Sequence, residues 1–374
     1  MRANNIKNGE IDLGDVQYVS RAKVKPSQLL RKGDILVCAS SGSRSLVGKA
    51  ALIKEDMSAT FGAFCCVIRS LEGESSYLGH YFQSDAYRRK IEHACSGSNI
   101  NNLKADCFFD LRVPVHEVET RGLIVRQLDA LRTQIKMSQK QLSALDDLVK
   151  SRFVEMFGDP IYNEKGYPEK RLGELLEIAR GGSPRPIKDY LTNDPEGINW
   201  IKIGDTVEGS RYINSTAEKI KPEGKAKSRE VKAGDFLLSN SMSFGRPYIL
   251  NIDGCIHDGW LVLSDSRKRF NKVFLCELLG SSALKAKFSS SVRGGVVNNL
   301  NIDLVASTVV PYPPLALQQQ FADFVARVDK LGFDSCGDAF SACRLLLVKG
   351  LAGGVQDGEG PSRRGSVHKD EGGK

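Results

Sequence analysis

The residues suited to chemistry are few, and their spacing does not assemble a reaction centre. Asp159-Pro160 followed by Glu164 and Lys165 has the carboxylate and lysine content of a nuclease site. These residues lie where Gly158 and Pro160 end a long helical pattern, so a structural role is the better reading. His80, His93, His116, His257 and His368 show no ligand spacing, and Cys255 with His257 lacks further nearby ligands for zinc. The nine cysteines include no C-x-x-C pair, and adjacent Cys65 and Cys66 suit neither a disulfide framework nor a metal site, which leaves reduced, buried thiols. There is no G-x-G-x-x-G after a strand-like run, no P-loop, and no Asn-Pro-Pro-Tyr or Asp-Pro-Pro-Tyr. The chain is read as carrying no catalytic residue, metal or cofactor of its own.

What remains are basic and amide side chains, the types that hold phosphates and reach base edges. The net charge of +8 and pI near 8.9 favour nucleic acid or another acidic partner. In the carboxyl half the candidates are Arg185 and Lys188 beside the Gly181-Gly182-Ser183-Pro184 turn, Lys202, the loop Ser239, Asn240, Ser241 through Arg246, and Arg293 with Asn298. In the amino half they are Arg2, Asn4, Asn5, Ser41, Ser43, Arg44, Lys49, Asn99 and Asn101. Each competes with an ordinary solvated role. For Asn101-Asn102 and Asn298-Asn299 a turn with left-handed backbone is an equal alternative. Trp200 and Trp260 neighbour apolar runs and are read as core, not as base-stacking platforms. The polar amino terminus and the lack of 18 consecutive apolar residues lead us to expect a soluble, cytoplasmic protein.

These side chains must be positioned by something, and the strongest pattern is a helix over residues 118–157. Ile124, Leu128, Leu131, Ile135, Leu142, Leu145, Val149 and Met156 form a heptad stripe, interrupted where the register falls on Ser138 and Arg152. A rod of roughly 50 Å follows from about 1.5 Å per residue, and so narrow a stripe needs a partner helix. Gln134, Lys136, Lys140 and Asp147 face away from the seam and stay free for partner proteins.

An internal repeat flanks this helix. Asn101-Asn102-Leu103, Asp106, Val113 and Pro114 recur as Asn298-Asn299-Leu300, Asp303, Val310 and Pro311, displaced by 197 positions. Gly48 matches Gly245 at the same displacement, and Gly33-Asp34-Ile35-Leu36 matches Gly234-Asp235-Phe236-Leu237 at 201. A period near 200 is a duplicated domain. Short apolar runs at 35–38, 64–68, 236–238, 248–250 and 260–263 read as strands, and 77–94 and 272–288 as helical, so each unit is expected to be α+β with a curved mixed sheet. Residue 1 aligns near residue 201, so the first unit is expected to lack about 30 residues at its start. A second helix opens at Pro314 with Leu317, Phe321, Phe324, Val328 and Leu331, and 351–374 has the composition of a disordered tail.

Taken in order, the long helix ending Lys150-Ser151-Arg152-Phe153-Val154-Glu155-Met156-Phe157-Gly158-Asp159-Pro160, the second unit opening Arg171-Leu172-Gly173-Glu174, and the Pro-Pro-Leu-x-x-Gln-Gln-Gln run of 313–320 resemble the specificity subunit of type I restriction-modification systems. The resemblance covers residues 1 to about 333. It implies two duplicated α/β target recognition domains, each reading half of a split double-stranded DNA site, joined by long antiparallel coiled-coil helices. The expected layout is a first recognition domain at 1–117, incomplete at its start, a spacer helix at 118–158, a second recognition domain at 159–313, a short or interrupted helix at 314–350, and the tail. It also implies docking of modification (methyltransferase) subunits and, through them, restriction subunits. S-adenosylmethionine, ATP and Mg would belong to those partners. A coiled-coil scaffold with protein-binding ends, and a partial or recombining copy inactive alone, are the alternatives.

Overall fold

A computed structural model describes residues 1–70, 73–94, 103, 106–207, 209–240, 245–292 and 300–332. The chain forms two compact units, the first built on Met1–Met137 and the second beginning at Ser138.

Unit 1 is built on a three-stranded sheet ordered Ala50–Leu52, Ile35–Cys38, Cys65–Ile68, whose described strands are all antiparallel and not the mixed arrangement expected of each unit. The central run Ile-Leu-Val-Cys is buried on both faces because successive strand residues point to opposite sides. Ile35 and Val37 pack with Tyr81, Tyr87, Ile91 and Leu103, while Leu36 and Cys38 pack with Ile6, Leu30 and Ala51. Gly33 enters the strand at φ +92°, a conformation open to glycine. The buried Asp34 carboxylate behind it accepts from Arg69 Nε at 2.6 Å and Arg69 Nη2 at 2.7 Å. Burial alone would raise its pKa, but these charge-assisted bonds and the Arg31 amide hold it below the usual carboxylate range.

Unit 2 carries more layers. One five-stranded sheet runs Tyr212–Ile213, Pro247–Leu250, Phe236–Ser239, Trp260–Ser264, Glu177–Arg180, and a second runs Arg229–Val231, Gly254–Ile256, Ile198–Ile201, Glu218–Ile220, Leu191–Thr192. Both are mixed, as expected, with parallel pairs Tyr212↔Ile249 and Cys255↔Trp200. Trp200 and Trp260 are buried core residues.

The repeat is a repeat of hydrogen bonds. Gly33 N donates to Ile53 O (2.8 Å) and Gly234 N to Leu250 O (2.7 Å); Gly48 N donates to Cys38 O and Gly245 N to Ser239 O, both at 2.8 Å. Arg2 N donates to Asn5 Oδ1 at 2.8 Å, and Lys202 N to Asp205 Oδ2 at 2.7 Å. Residues 1–5 therefore occupy the place of 201–205, as the alignment of the repeat anticipates. The helical stretches expected at 77–94 and 272–288 are each two helices, Ser75–Tyr81 and Asp85–Ala94, then Lys272–Gly280 and Ser282–Val292. Ser84 and Ser281 break them by offering hydroxyls to the amides of Tyr87 and Leu284.

The long helix spans Val118–Phe157 without interruption, 40 residues, which at 1.5 Å per residue make about 60 Å, longer than the roughly 50 Å expected. Gly158 at φ +75° ends it, and Asp159 Oδ1 accepts from the Ile161 amide at 2.7 Å, a turn-building role. Within unit 2 it runs antiparallel to the helix at 315–332. Phe153 meets Phe321 (5.6 Å between rings), Arg152 lies over Phe324 (5.7 Å), and Gly332 faces Leu142 and Leu145. Packing departs from the heptad expectation. Leu128, Ile135 and Leu142 stay 36–48% exposed, and Leu331 also stays exposed. The off-stripe Phe153 and Phe157 are buried against Phe274 and Phe321. Buried Gln318 explains the glutamine run: its Oε1 accepts from Asn271 N (2.9 Å) and its Nε2 donates to Pro313 O (2.9 Å). Residues 333–374 lie outside the described residues. No described helix is long and apolar enough to cross a membrane.

Phe153→Ala should destabilise unit 2 by about 3–5 kcal/mol, as loss of a fully packed aromatic does. Urea unfolding followed by unit-specific amide signals measures this, and a change under about 1 kcal/mol would show that the ring cluster does not anchor the helix.

Candidate nucleic-acid interface

In both units the candidates that fall on described residues, Lys188 apart, gather at one end of the central strand. In unit 1 this end holds the Arg2 turn, the loop between Ile35–Cys38 and Ala50–Leu52, and Leu103, whose amide donates to Ala39 O at 2.7 Å. In unit 2 it holds the Lys202 turn, the strand end at Ser239-Asn240, and Leu300, whose amide donates to Asn240 O at 3.1 Å.

Individual placements differ. Arg2 is half-exposed and shares the Asp15 carboxylate with Asn4, at 2.9 and 2.8 Å. Ser41, Ser43, Arg44 and Lys49 lie on the loop, where Ser43 contacts Ser45 (2.9 Å) and Arg44 donates to Glu92 O (3.1 Å). Lys202 pairs with Glu218 at 2.7 Å. Lys188 is exposed on a short 3-10 turn, and Arg246 stacks its guanidinium over Tyr248.

Asn5, Ser239 and Asn240 are scaffold and not presented side chains. Asn5 is 1% exposed and spends its amide on Asp12 O and Asp15 O. Ser239 Oγ accepts from Arg246 N, and Asn240 Nδ2 donates to Asp258 O. These polar types resemble contact residues in sequence, but they satisfy buried backbone groups that would otherwise be unpaired. Asn99, Asn101, Ser241, Arg293 and Asn298 lie outside the described residues.

Sequence reasoning missed Asp258, the hub of this end of unit 2. Its carboxylate accepts from Ser183 Oγ at 2.8 Å and Arg185 Nη2 at 3.3 Å, and its carbonyl accepts from Arg180 Nε and Asn240 Nδ2. The Ser183 hydroxyl holds the Asp258 carboxyl below the ordinary carboxylate range. Arg185 is thereby aimed yet remains 81% exposed along its side chain. Neighbouring His257 takes the Ile203 amide on Nε2 (3.1 Å), and burial pushes its imidazole pKa down. No local pattern announces these partners, because Ser183 and Asp258 are 75 residues apart. Strand register places Ala63 opposite Asp258, since Ala39 N donates to Phe64 O where Asn240 N donates to Gly259 O, so unit 1 has no such carboxylate at that position.

Among the described residues no group of three or more His, Cys, Asp or Glu side chains could hold a metal. What the two ends offer is guanidinium, ammonium and hydroxyl groups on rigid turns, a chemistry of recognition.

A family model described as the type I restriction modification DNA specificity domain matches residues 164–335. The chain is 36% identical over 355 residues to the type I restriction enzyme StySPI specificity subunit of Salmonella potsdam, covering 88% of this chain and 74% of that protein. It is 35% identical over 151 residues to the EcoKI specificity subunit of Escherichia coli K12, covering 40% of this chain and 32% of that protein. A solved structure from work on complex assembly and conformational transition of the type I R-M system has a TM-score of 0.53 at 19% identity, covering 94% of this chain and 90% of that one, a likeness of fold. The chain belongs to the type I restriction-modification specificity subunits, the non-catalytic members of these systems.

Because the Asp258 pKa is depressed in the folded chain, the network it holds should be intact above the unfolded value near 3.9 and lost only as pH falls through the lower folded value. A carboxyl-carbon NMR titration should place the Asp258 midpoint below about 3.9. A midpoint at or above that value would contradict the hub.

Proposed function

We propose that this chain is the sequence reader of a type I restriction-modification complex, binding a bipartite double-stranded DNA site with one half-site on each unit and an unread stretch between. The observation that carries this reading is the repeated construction of the candidate ends. The same capped turn, strand end and buried leucine occur in both units, while the loop residues differ. A common scaffold sets where the loops stand, and different loops read different bases.

In this reading residues 1–117 and 159–313 are the two recognition domains. The helices at 118–158 and 314–350 receive the modification subunits, through which restriction subunits join. Support for docking comes from Leu123, Met137, Leu148 and Val154, all exposed on the long helix. Gln134 and Lys140 are also exposed, but Lys136 is engaged by Glu10 at 2.5 Å and is not free for a partner. S-adenosylmethionine, ATP and Mg act in the partner subunits, and the complex works in the cytoplasm.

The test is DNA binding by the chain together with modification subunits across a salt series. Log K should fall linearly with log salt. Arg185→Ala should weaken binding to the preferred site about 10–100-fold and relax its preference, as loss of a base contact worth about 1–3 kcal/mol does. Lys49→Ala should weaken all sequences alike and reduce the salt slope by about 1. Binding without sequence preference or salt slope would favour a protein-binding scaffold.

A further inference from the structure

The central strand of unit 1 and its neighbour carry two thiols face to face. Cys38 stands opposite Cys65, and the next pair along the ladder, Ala39 and Phe64, is a hydrogen-bonded one, with Ala39 N donating to Phe64 O at 2.9 Å. Cys38 and Cys65 are therefore a non-hydrogen-bonded pair, the position at which an antiparallel ladder brings Cα atoms to about 4.5 Å and side chains closest together. That separation falls inside the range of about 4.4–6.8 Å over which a disulfide can join two cysteines. Both side chains point into the cluster with Ile6, Leu30 and Ala51, whereas Cys66 packs on the opposite face with Ile35 and Val37. The strands need not move for the Cys38 and Cys65 sulfurs to bond.

In this structure both thiols are free, and Cys38 Sγ donates to Ser40 O at 3.4 Å. Burial, and after it the neighbouring Cys38, push the Cys65 pKa up to about 11, and burial raises that of Cys38 as well. Each is a thiol at neutral pH, so exchange with other disulfides waits on local opening of the strand end. Cys65 keeps 6% of its surface exposed and Cys38 none, which makes Cys65 the first to react. In unit 2 the same register sets Ser239 against Trp260, so the thiol pair belongs to unit 1. It lies at the base of the loop that carries Ser41, Ser43, Arg44 and Lys49. The Cys38 backbone closes that loop, accepting from Gly48 N and donating to Lys49 O, both at 2.8 Å.

We propose that Cys38 and Cys65 form a reversible thiol–disulfide latch under this loop, closed by a small-molecule disulfide of the oxidised glutathione type. The Cys65 thiolate attacks one sulfur of the small disulfide and expels its other half as a thiolate. The Cys38 thiolate then attacks the Cys65 sulfur of the mixed disulfide and expels the second half. Two protein thiols are oxidised, one small disulfide is reduced to two small thiols, and these take up the two protons. Cys38 exchanges a weak S–H contact with Ser40 O for a covalent tie between the strands that hold the loop. The proposal does not depend on DNA reading, and its test contains no DNA.

The folded full chain is incubated with oxidised glutathione, its remaining thiols are alkylated, and it is digested with trypsin without reduction. Peptides 33–44 and 55–69, which hold Cys38 and Cys65, should be joined in the wild-type chain and in Cys66→Ser, separate in Cys65→Ser, and separate again once reduced glutathione is added in excess. By NMR the Gly48 amide of the oxidised chain should exchange about tenfold more slowly, a change that oxidised Cys65→Ser does not share. Absence of the joined peptide, or a joined peptide that survives Cys65→Ser, would overturn the proposal. So would a bond that forms and leaves Gly48 exchange unaltered.

Discussion

Phe153 and Phe157, closing the long helix, meet Phe274 and Phe321 with ring centres 4.7–5.7 Å apart, and the order of unit 2 depends on that contact. A heptad stripe alone tolerates sliding of one helix along another. Four interlocked rings tolerate none, because each fills a space shaped by the other three. The cluster also joins the helix pair to the recognition sheet, since Phe274 opens the helix Lys272–Gly280 and Phe236, Leu238 and Leu263 line the same core. Gln318 reinforces the join by bonding across to the Asn271 amide. The mixed sheet and the strut therefore share one hydrophobic core.

The two units keep one framework and exchange its polar occupants. Asp34 is held by Arg69, whereas Asp235 accepts from the Ser264 hydroxyl at 3.0 Å. In unit 2 Arg211 bridges Glu277 (2.7 Å) and Asp329 (2.9 Å), tying the second helix to its sheet and staying firmly charged between two carboxylates. In unit 1 the repeat puts His80 at the Glu277 position, where it meets Asp129 directly at 2.9 Å. Burial nonetheless pushes the His80 pKa down. Unit 1 adds Arg121–Glu74 and Lys136–Glu10 along the same helix. Backbone geometry has been preserved while side-chain chemistry diverged, the behaviour a scaffold for different readers requires.

Much of this was legible in the residues. Glycines at positive φ and aspartates entering strands repeat because backbone geometry demands them, so the duplication was visible as a fixed displacement. The bounds of the long helix followed from its periodicity and its Gly158 stop. Other features depended on contacts that sequence spacing does not show. Asn5 and Asn240 look like contact residues until burial shows them bonding the backbone. Asp258 became a hub only when folding brought it to Ser183 and Arg185. The stripe residues Leu128 and Ile135 predicted burial that the described chain does not supply, and the described contacts of that part of the helix are polar ones such as Lys136–Glu10.

In the proposed function two copies of one scaffold read two separate pieces of DNA. Selection from randomised duplexes, using the chain assembled with modification subunits, tests it most directly. Two short specified blocks flanking an unspecified stretch of constant length are expected, with a substitution at the Asp258 hub relaxing one block and sparing the other. A single continuous block, or a hub substitution that relaxes both blocks equally, would contradict it.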